Sequence, residues 1–390
     1  MRPFITTTGA LAAGLFLLCA GGPALAVPIT PSRDDEVIEV LPAAAGNRGE
    51  ERQMRKRLAA SPGDEALAMA VAKRYFDRAR ESGDPRFAGM AMAALRAWPE
   101  PARAPADVLM MQATLQQYLH EFDASVANLR LLLARPGVAR RPQAWLTLAT
   151  VLRVQGRYAD SDAACRSVIA AGASLYGSAC LAENAALRGE VAAARRAFNG
   201  LLADPGLDAS ARGWLTTSLA ELEERDGRSA AADAAYRTVM RTAPDTYARI
   251  AYADFLIAQK RPLDALTILK DEVRTDAVLL RLAIAGSHAR SKGVERDVAE
   301  MRDRINLANE RPDARIFHGR EQAMFALFVD RAAEKAVDLA RGDLTQQREP
   351  LDLLVFAQAA RASGQAAALD EARRLKAAQG LHDRRIDALL

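Results

Sequence analysis

Of these 390 residues only 5% are aromatic, four are histidine and three are cysteine. That scarcity removes several chemistries at once. His120, His288, His318 and His382 are far apart and share no motif. His120-Glu121 opens like a zinc-binding helix, but Ala124 stands where the second histidine belongs. No glycine-rich phosphate loop and no dinucleotide fingerprint occurs. Gly172-Ala173-Ser174 fails as a nucleophile elbow, because Tyr176 holds the place of its last glycine. The acidic pairs Asp34-Asp35 and Glu223-Glu224 are adjacent along the chain rather than facing, as ordinary surface charges are. The expectation is a protein without a catalytic site, a metal or a cofactor.

Charge of one sign is also missing. Fifty-three Lys and Arg against 49 Asp and Glu leave a net charge of only +4, with the signs interspersed. No dense basic patch carries interleaved aromatics, so nucleic acid is not an expected partner. The run Arg55-Lys56-Arg57 reads as a solvated helix face. Beyond the first 26 residues there is no apolar run long enough to span a bilayer.

The amino terminus reads as an address. A short basic start, Met1-Arg2, precedes the apolar run Gly9–Ala20, and Ala24-Leu25-Ala26 offers the small residues of a cleavage site. The mature chain is then expected to begin at Val27, outside the cytoplasm and most simply in a bacterial periplasm. Leu18 before Cys19 is not the small residue that a lipoprotein signal needs. Two cysteines remain after cleavage, Cys165 and Cys180, and they have no partners for a zinc site. They are either a disulfide closing a short loop, worth about 3 kcal/mol, or two buried thiols acting as small hydrophobes. Residues 27–49, rich in Pro, Asp and Ala, read as an extended or flexible lead-in.

What the chain has in abundance is alanine, the best helix former, and it comes in a pattern. In AWLTLATVLRVQGRYADSDAACRSVI (144–169), Gly156 is a pivot between two helices. The layout recurs at pivots Gly83, His120, Gly189, Gly227, Lys260, Gly293, Asp330 and Gly364, with spacings of 37, 36, 33, 38, 33, 33, 37 and 34 residues along the series. Seven residues before the pivot stand Ala113, Ala149, Ala182, Ala220, Ala253, Gly286, Ala323 and Ala357. Five after it come Ser125, Ser161, Ala194, Ala232 and Ala265, with Val298 the first departure. Two antiparallel helices approach closely only where their side chains are small. Larger residues such as Trp145, Leu148, Phe198 and Tyr236 then fill the gaps between neighbouring pairs. One such pair cannot bury its own apolar face, so the pairs must stack.

These residues resemble the tetratricopeptide repeat. The best matches are Trp145, Gly156 and Tyr158 in one unit, Ala194, Phe198 and Pro205 in the next, and Ala220, Ala232, Tyr236 and Pro244 in the third. The resemblance covers about residues 65–380, strongly from 105 to 270 and loosely beyond. Cys165 stands at the aromatic position, and His120 and Lys260 at the glycine position. The likeness is to exported bacterial proteins of this family. It implies an all-α, right-handed α-solenoid of eight or nine antiparallel helix pairs over residues 50–380, with a polar cap at 381–390.

In such solenoids the first helix of each pair lines the concave face through its second, fifth, ninth and twelfth positions. Carried onto this chain, the second position gives Tyr176, Trp214 and Tyr247, the ninth gives Glu183, Glu221 and Asp254, and the twelfth adds Glu224. Rings for rigid contact area and acids for orientation suit an extended peptide with basic or amide groups. The same residues also suit plain repeat packing beneath a solvated acidic face. The function expected is a non-enzymatic scaffold for a peptide or protein partner in cell-envelope assembly or export. The alternative is an enzyme or small-molecule binder that uses the solenoid as a frame.

Overall fold

A computed structural model describes residues 48–242, 244–310 and 319–390. The expected leader, most of the expected lead-in and His318 lie outside them. The chain divides into two compact units at Glu50/Glu51, and the helical array occupies the second.

Helix α1 (Arg48–Ala60) precedes nine helix pairs among the described residues. These are α2 (Glu65–Ser82) with α3 (Pro85–Ala94), α4 (Ala106–Tyr118) with α5 (Phe122–Leu133), and α6 (Pro142–Val154) with α7 (Tyr158–Ala170). Next come α8 (Ser174–Leu187) with α9 (Val191–Leu202), α10 (Ala209–Arg225) with α11 (Ser229–Thr242), and α12 (Thr246–Ala258) with α13 (Pro262–Leu269). The last three are α14 (Asp276–Ala289) with α15 (Val294–Asn309), α16 (Gly319–Phe328) with α17 (Ala333–Asp343), and α18 (Pro350–Ser363) with α19 (Ala366–Gln379). A final turn, α20 (Arg384–Asp387), ends the chain. No strand occurs among the described residues, so the architecture is an all-α solenoid. No described helix is long and apolar enough to cross a membrane.

The helix starts are written in the sequence. Asp64, Asp84, Asp208, Asp245 and Thr275 each cap a helix by accepting a backbone N–H of its first turn. Pro85, Pro142, Pro262 and Pro350 open helices at a position where the missing N–H costs nothing. The pivots end the first helices in left-handed conformations. Five are glycines; His120 (φ 60°) and Lys260 (φ 59°) adopt the same conformation without glycine's freedom. Two looser units differ. Arg290 (φ 50°) ends α14 and Gly293 (φ 84°), also left-handed, stands before α15, whereas after α16 the left-handed residue is Arg331 rather than Asp330.

The small residues meet as their size requires. All eight residues at the position before the pivot are buried, and Ser125 and Ser161 after it are fully buried. In both cases the serine Oγ donates to the carbonyl of the partner alanine, Ala113 or Ala149, at 2.8 Å. This bond repeats the pair geometry in two consecutive units and satisfies a buried hydroxyl.

The array returns onto itself after six pairs. A Cβ placed on Gly83, in the first pair, would lie 2.9 Å from Thr275 Cβ at the start of the seventh. Val154 O accepts the N–H of Arg348 at 2.8 Å, and Leu187 O that of His382 at 2.7 Å. Tyr158 and Leu187 from the early pairs share an apolar cluster with Leu353, Leu354, Phe356 and Ile386. The later pairs therefore stack on the pivot edge of the earlier ones, and the seam between them is both apolar and hydrogen-bonded.

Cys165 of α7 and Cys180 of α8 form a disulfide with Cα atoms 5.8 Å apart. Beside it, Gly177 of α8 faces α7 so closely that a Cβ would lie 2.7 Å from Cys165 O and 2.5 Å from Ile169 Cγ1. Gly177→Ala gains about 1 kcal/mol of helix propensity. It must also push two helices apart that a covalent bridge holds together, an overpacking cost of about 1–3 kcal/mol. The expected outcome is net destabilisation, read as a lower urea midpoint. A midpoint equal to or above that of the wild type shows that α7 and α8 are not this close.

Candidate functional site

All seven residues expected to line the groove sit on first helices: Tyr176 and Glu183 on α8, Trp214, Glu221 and Glu224 on α10, and Tyr247 and Asp254 on α12. Two of the three rings meet. Tyr176 and Trp214 stack with centroids 5.7 Å apart, and Tyr176 is 42% exposed. Tyr247 is 62% exposed and donates its phenol to Glu221 Oε1 at 2.6 Å. The charge of Glu221, and then desolvation, push the Tyr247 phenol well above its ordinary range; Glu349, from the later pairs, adds to the effect.

The carboxylates are engaged within the chain. Glu183 pairs with Arg153 of α6 and accepts the hydroxyl of Ser218 at 2.8 Å. Asp254 takes a two-pronged contact from Arg281 of α14, at 3.0 and 2.9 Å. Glu224 pairs with Arg385 of the last turn, 161 residues away, and accepts the phenol of Tyr236 at 3.1 Å. Burial raises the Glu224 carboxyl pKa, and Arg385 works against that rise. Glu221 accepts the Tyr247 phenol, and its ion pair with Arg225 is looser, at 3.9 Å. These acids tie neighbouring first helices, and the last turn, to one another.

A second polar knot lies where α16, α17 and α18 meet. Arg320 binds both Asp352 and Glu349, and Asp352 is 1% exposed. Asp343 is buried beside them; desolvation, and then the charge of Asp352, raise its carboxyl pKa far above the usual aspartate range.

An apolar trough opens on the inner face of the first three pairs. Met69 and Phe76 of α2, Met110 and Met111 of α4, and Gln143 of α6 enclose a cavity of about 610 Å³. Phe76 packs edge-on against Tyr118, with centroids 5.5 Å apart. Glu65 and Asp107 mark its edge, and Asp107 is paired with Arg141. Counted from Ala113 and Ala149, Asp107, Met110, Thr114 and Gln143 fall on the second, fifth and ninth positions of their helices. The positional rule that selected Tyr176, Trp214 and Tyr247 therefore reaches this trough as well, once it is applied to the earlier units. Among the described residues no group of three or more His, Cys, Asp or Glu is placed to hold a metal ion.

No sequence profile of a protein family matches this chain, and no curated protein matches it. Solved structures do resemble it. One is a tetratricopeptide repeat protein from Parabacteroides merdae, at 16% identity and TM-score 0.46, over 56% of this chain and 83% of that one. Another is a Rap protein complexed with Competence and Sporulation Factor, at 10% identity and TM-score 0.44, over 85% of this chain and 92% of that one. Yeast Tom70 follows at 11% identity and TM-score 0.34, over 84% of this chain and 87% of that one. At these identities the likeness is one of fold.

The Asp343 carboxyl titrates higher in the folded protein than in the unfolded chain, where it ionises near pH 4. As pH rises above that value the unfolded chain gives up this proton while the folded one keeps it, so stability falls. Asp343→Asn removes the liability. Its urea midpoint is expected to exceed that of the wild type by more at pH 8 than at pH 5. An advantage that shrinks with pH would mean that Asp343 is ionised in the folded state.

Proposed function

We propose that this tetratricopeptide-like solenoid is an exported, non-enzymatic scaffold. It holds a peptide, or a segment of a protein partner, along the inner face of its first helices, in assembly or export at the cell envelope. The observation that carries the reading is the trough of about 610 Å³ lined by Met69, Phe76, Met110 and Met111, with Met110 and Gln143 on inner-face positions. Methionine is unbranched and polarisable, so such a surface adapts to apolar side chains of different shapes. The stacked Tyr176 and Trp214 extend the inner face with rigid rings. Because Asp107, Glu183, Glu224 and Asp254 are paired with in-chain arginines, the contact is apolar and shape-driven more than electrostatic. Export is supported by the leader pattern at residues 1–26 and by the Cys165–Cys180 bridge, which suits a non-reducing compartment.

Peptides selected from a random library on the full chain are expected to carry Leu, Met or Phe anchors. Met69→Glu and Met110→Glu should each weaken them by about tenfold or more, as loss of a buried anchor contact does. Helix content, read by circular dichroism, should stay unchanged. Selection without enrichment, or peptides that bind the variants as tightly as the wild type, would overturn the reading.

A further inference from the structure

We infer that a cleft in the seam between the early and late pairs binds a small zwitterion, a free α-amino acid or a dipeptide. This goes beyond the scaffold reading and uses none of the trough residues. The cleft has a volume of about 420 Å³ and is lined from three places: the α4–α5 turn, the α6–α7 turn and the loop between α17 and α18. That volume is at the small end of ordinary ligand sites.

The two sides of the cleft carry unspent chemistry of opposite kinds. On the early side, Gln155 Nε2 donates to Asp123 Oδ1 at 2.8 Å. That bond fixes the orientation of the amide, because the flipped group would set an oxygen against a carboxylate. Gln155 Oε1 is left buried, with no hydrogen-bond partner. A buried acceptor without a donor is uncommon in folded proteins and is satisfied by a bound N–H. Glu121 stands next to it in the lining, and among the described residues its carboxylate has no ion-pair partner. Partial desolvation raises its pKa, which a bound cation would reverse.

On the late side, Arg348 is held in place through its backbone N–H, which donates to Val154 O at 2.8 Å, and through Nε, which donates to Leu344 O at 3.1 Å. Among the described residues no carboxylate lies within ion-pair distance of its guanidinium. Arg157, which also lines the cleft, is already bound to Asp160 at 2.5 Å. The rings of Phe122 and His120 stack 5.3 Å apart and give the wall an apolar part.

A simple anion would satisfy Arg348 and leave Glu121 facing it; a simple amine would satisfy Glu121 and Gln155 and face a guanidinium. An ammonium and a carboxylate on one small molecule answer both sides. Such a ligand also touches both halves of the seam, so its binding favours their stacking.

The test is calorimetric titration of the full chain with glycine, L-alanine, L-leucine, L-glutamate and glycylglycine, with n-butylamine and butyrate as single-charge controls. At least one zwitterion is expected to bind saturably, about tenfold or more tightly than either control, and to raise the melting temperature. Glycylglycine against the free amino acids separates a dipeptide from an amino acid. Glu121→Gln and Arg348→Gln should each weaken the best ligand by about tenfold or more, since each removes one charge-assisted contact, with circular dichroism unchanged. The inference is overturned if no zwitterion binds up to millimolar concentration, if butyrate or butylamine binds as well, or if both variants bind like the wild type.

Discussion

Gly83, Gly156, Gly189 and Gly227 are the points at which two turns of the coil touch. Their own backbone needs a positive φ to end a helix, and their missing side chains make room for Thr275, Gln379, His382 and Arg384. At Gly83 both constraints are tight: φ is +69° and a Cβ would meet Thr275 at 2.9 Å. This contact fixes how closely the coil is wound. A wider coil leaves the inner face as an open groove, whereas this one brings residues 320–390 to the helix ends of the early pairs.

Close winding sets the electrostatics of the interior. The inner carboxylates lose water, and the cations that answer them, Arg153, Arg281, Arg320 and Arg385, are all arginines. A guanidinium offers several donors in a fixed fork and is less strongly hydrated than an ammonium, so it satisfies a desolvated carboxylate at lower cost. Replacing both members of such a pair by apolar residues is often neutral, while removing one is costly. The pairs therefore specify which helices meet more than they add net stability. The Arg385–Glu224 pair does so over the longest distance in sequence, tying the last turn of the chain to its fifth helix pair.

The repeat was legible because a helix pair is a local structure. The small residues, the pivots and the prolines lie within about 35 residues of one another, and each has a direct steric reason to be where it is. The winding was not legible, because it sums small rotations over six pairs and rests on contacts such as Gly83 with Thr275, which no spacing reveals. The groove shows the same division. The inner-face rule placed Tyr176, Trp214 and Tyr247 on first helices, but it could not show that Glu183, Glu224 and Asp254 meet arginines from other helices. The trough was within reach of that rule, since Met110 and Gln143 hold its fifth and second positions, but those units carry no ring at the second position to mark it. Arg290 ends α14 ahead of a left-handed Gly293, and Arg331 takes the left-handed turn in place of Asp330, because those two loops are longer or shifted, which a fixed period conceals.

Sequence scarcity and structure converge on one account of selectivity. Most of the interior acids, Glu183, Glu224, Asp254 and Asp352 among them, are committed to arginines. What remains unspent differs from place to place. The early inner face leaves apolar area uncovered between α2, α4 and α6, and uncovered apolar area recognises shape and size. Among the described residues the seam leaves one acceptor, one carboxylate and one guanidinium without an ion pair or donor, and such groups answer charge rather than shape. Because the seam cleft takes walls from both turns of the coil, whatever fills it bears on the same stacking that shapes the inner face. Two surfaces of unlike chemistry are thus joined through one mechanical element, the edge where the solenoid meets itself.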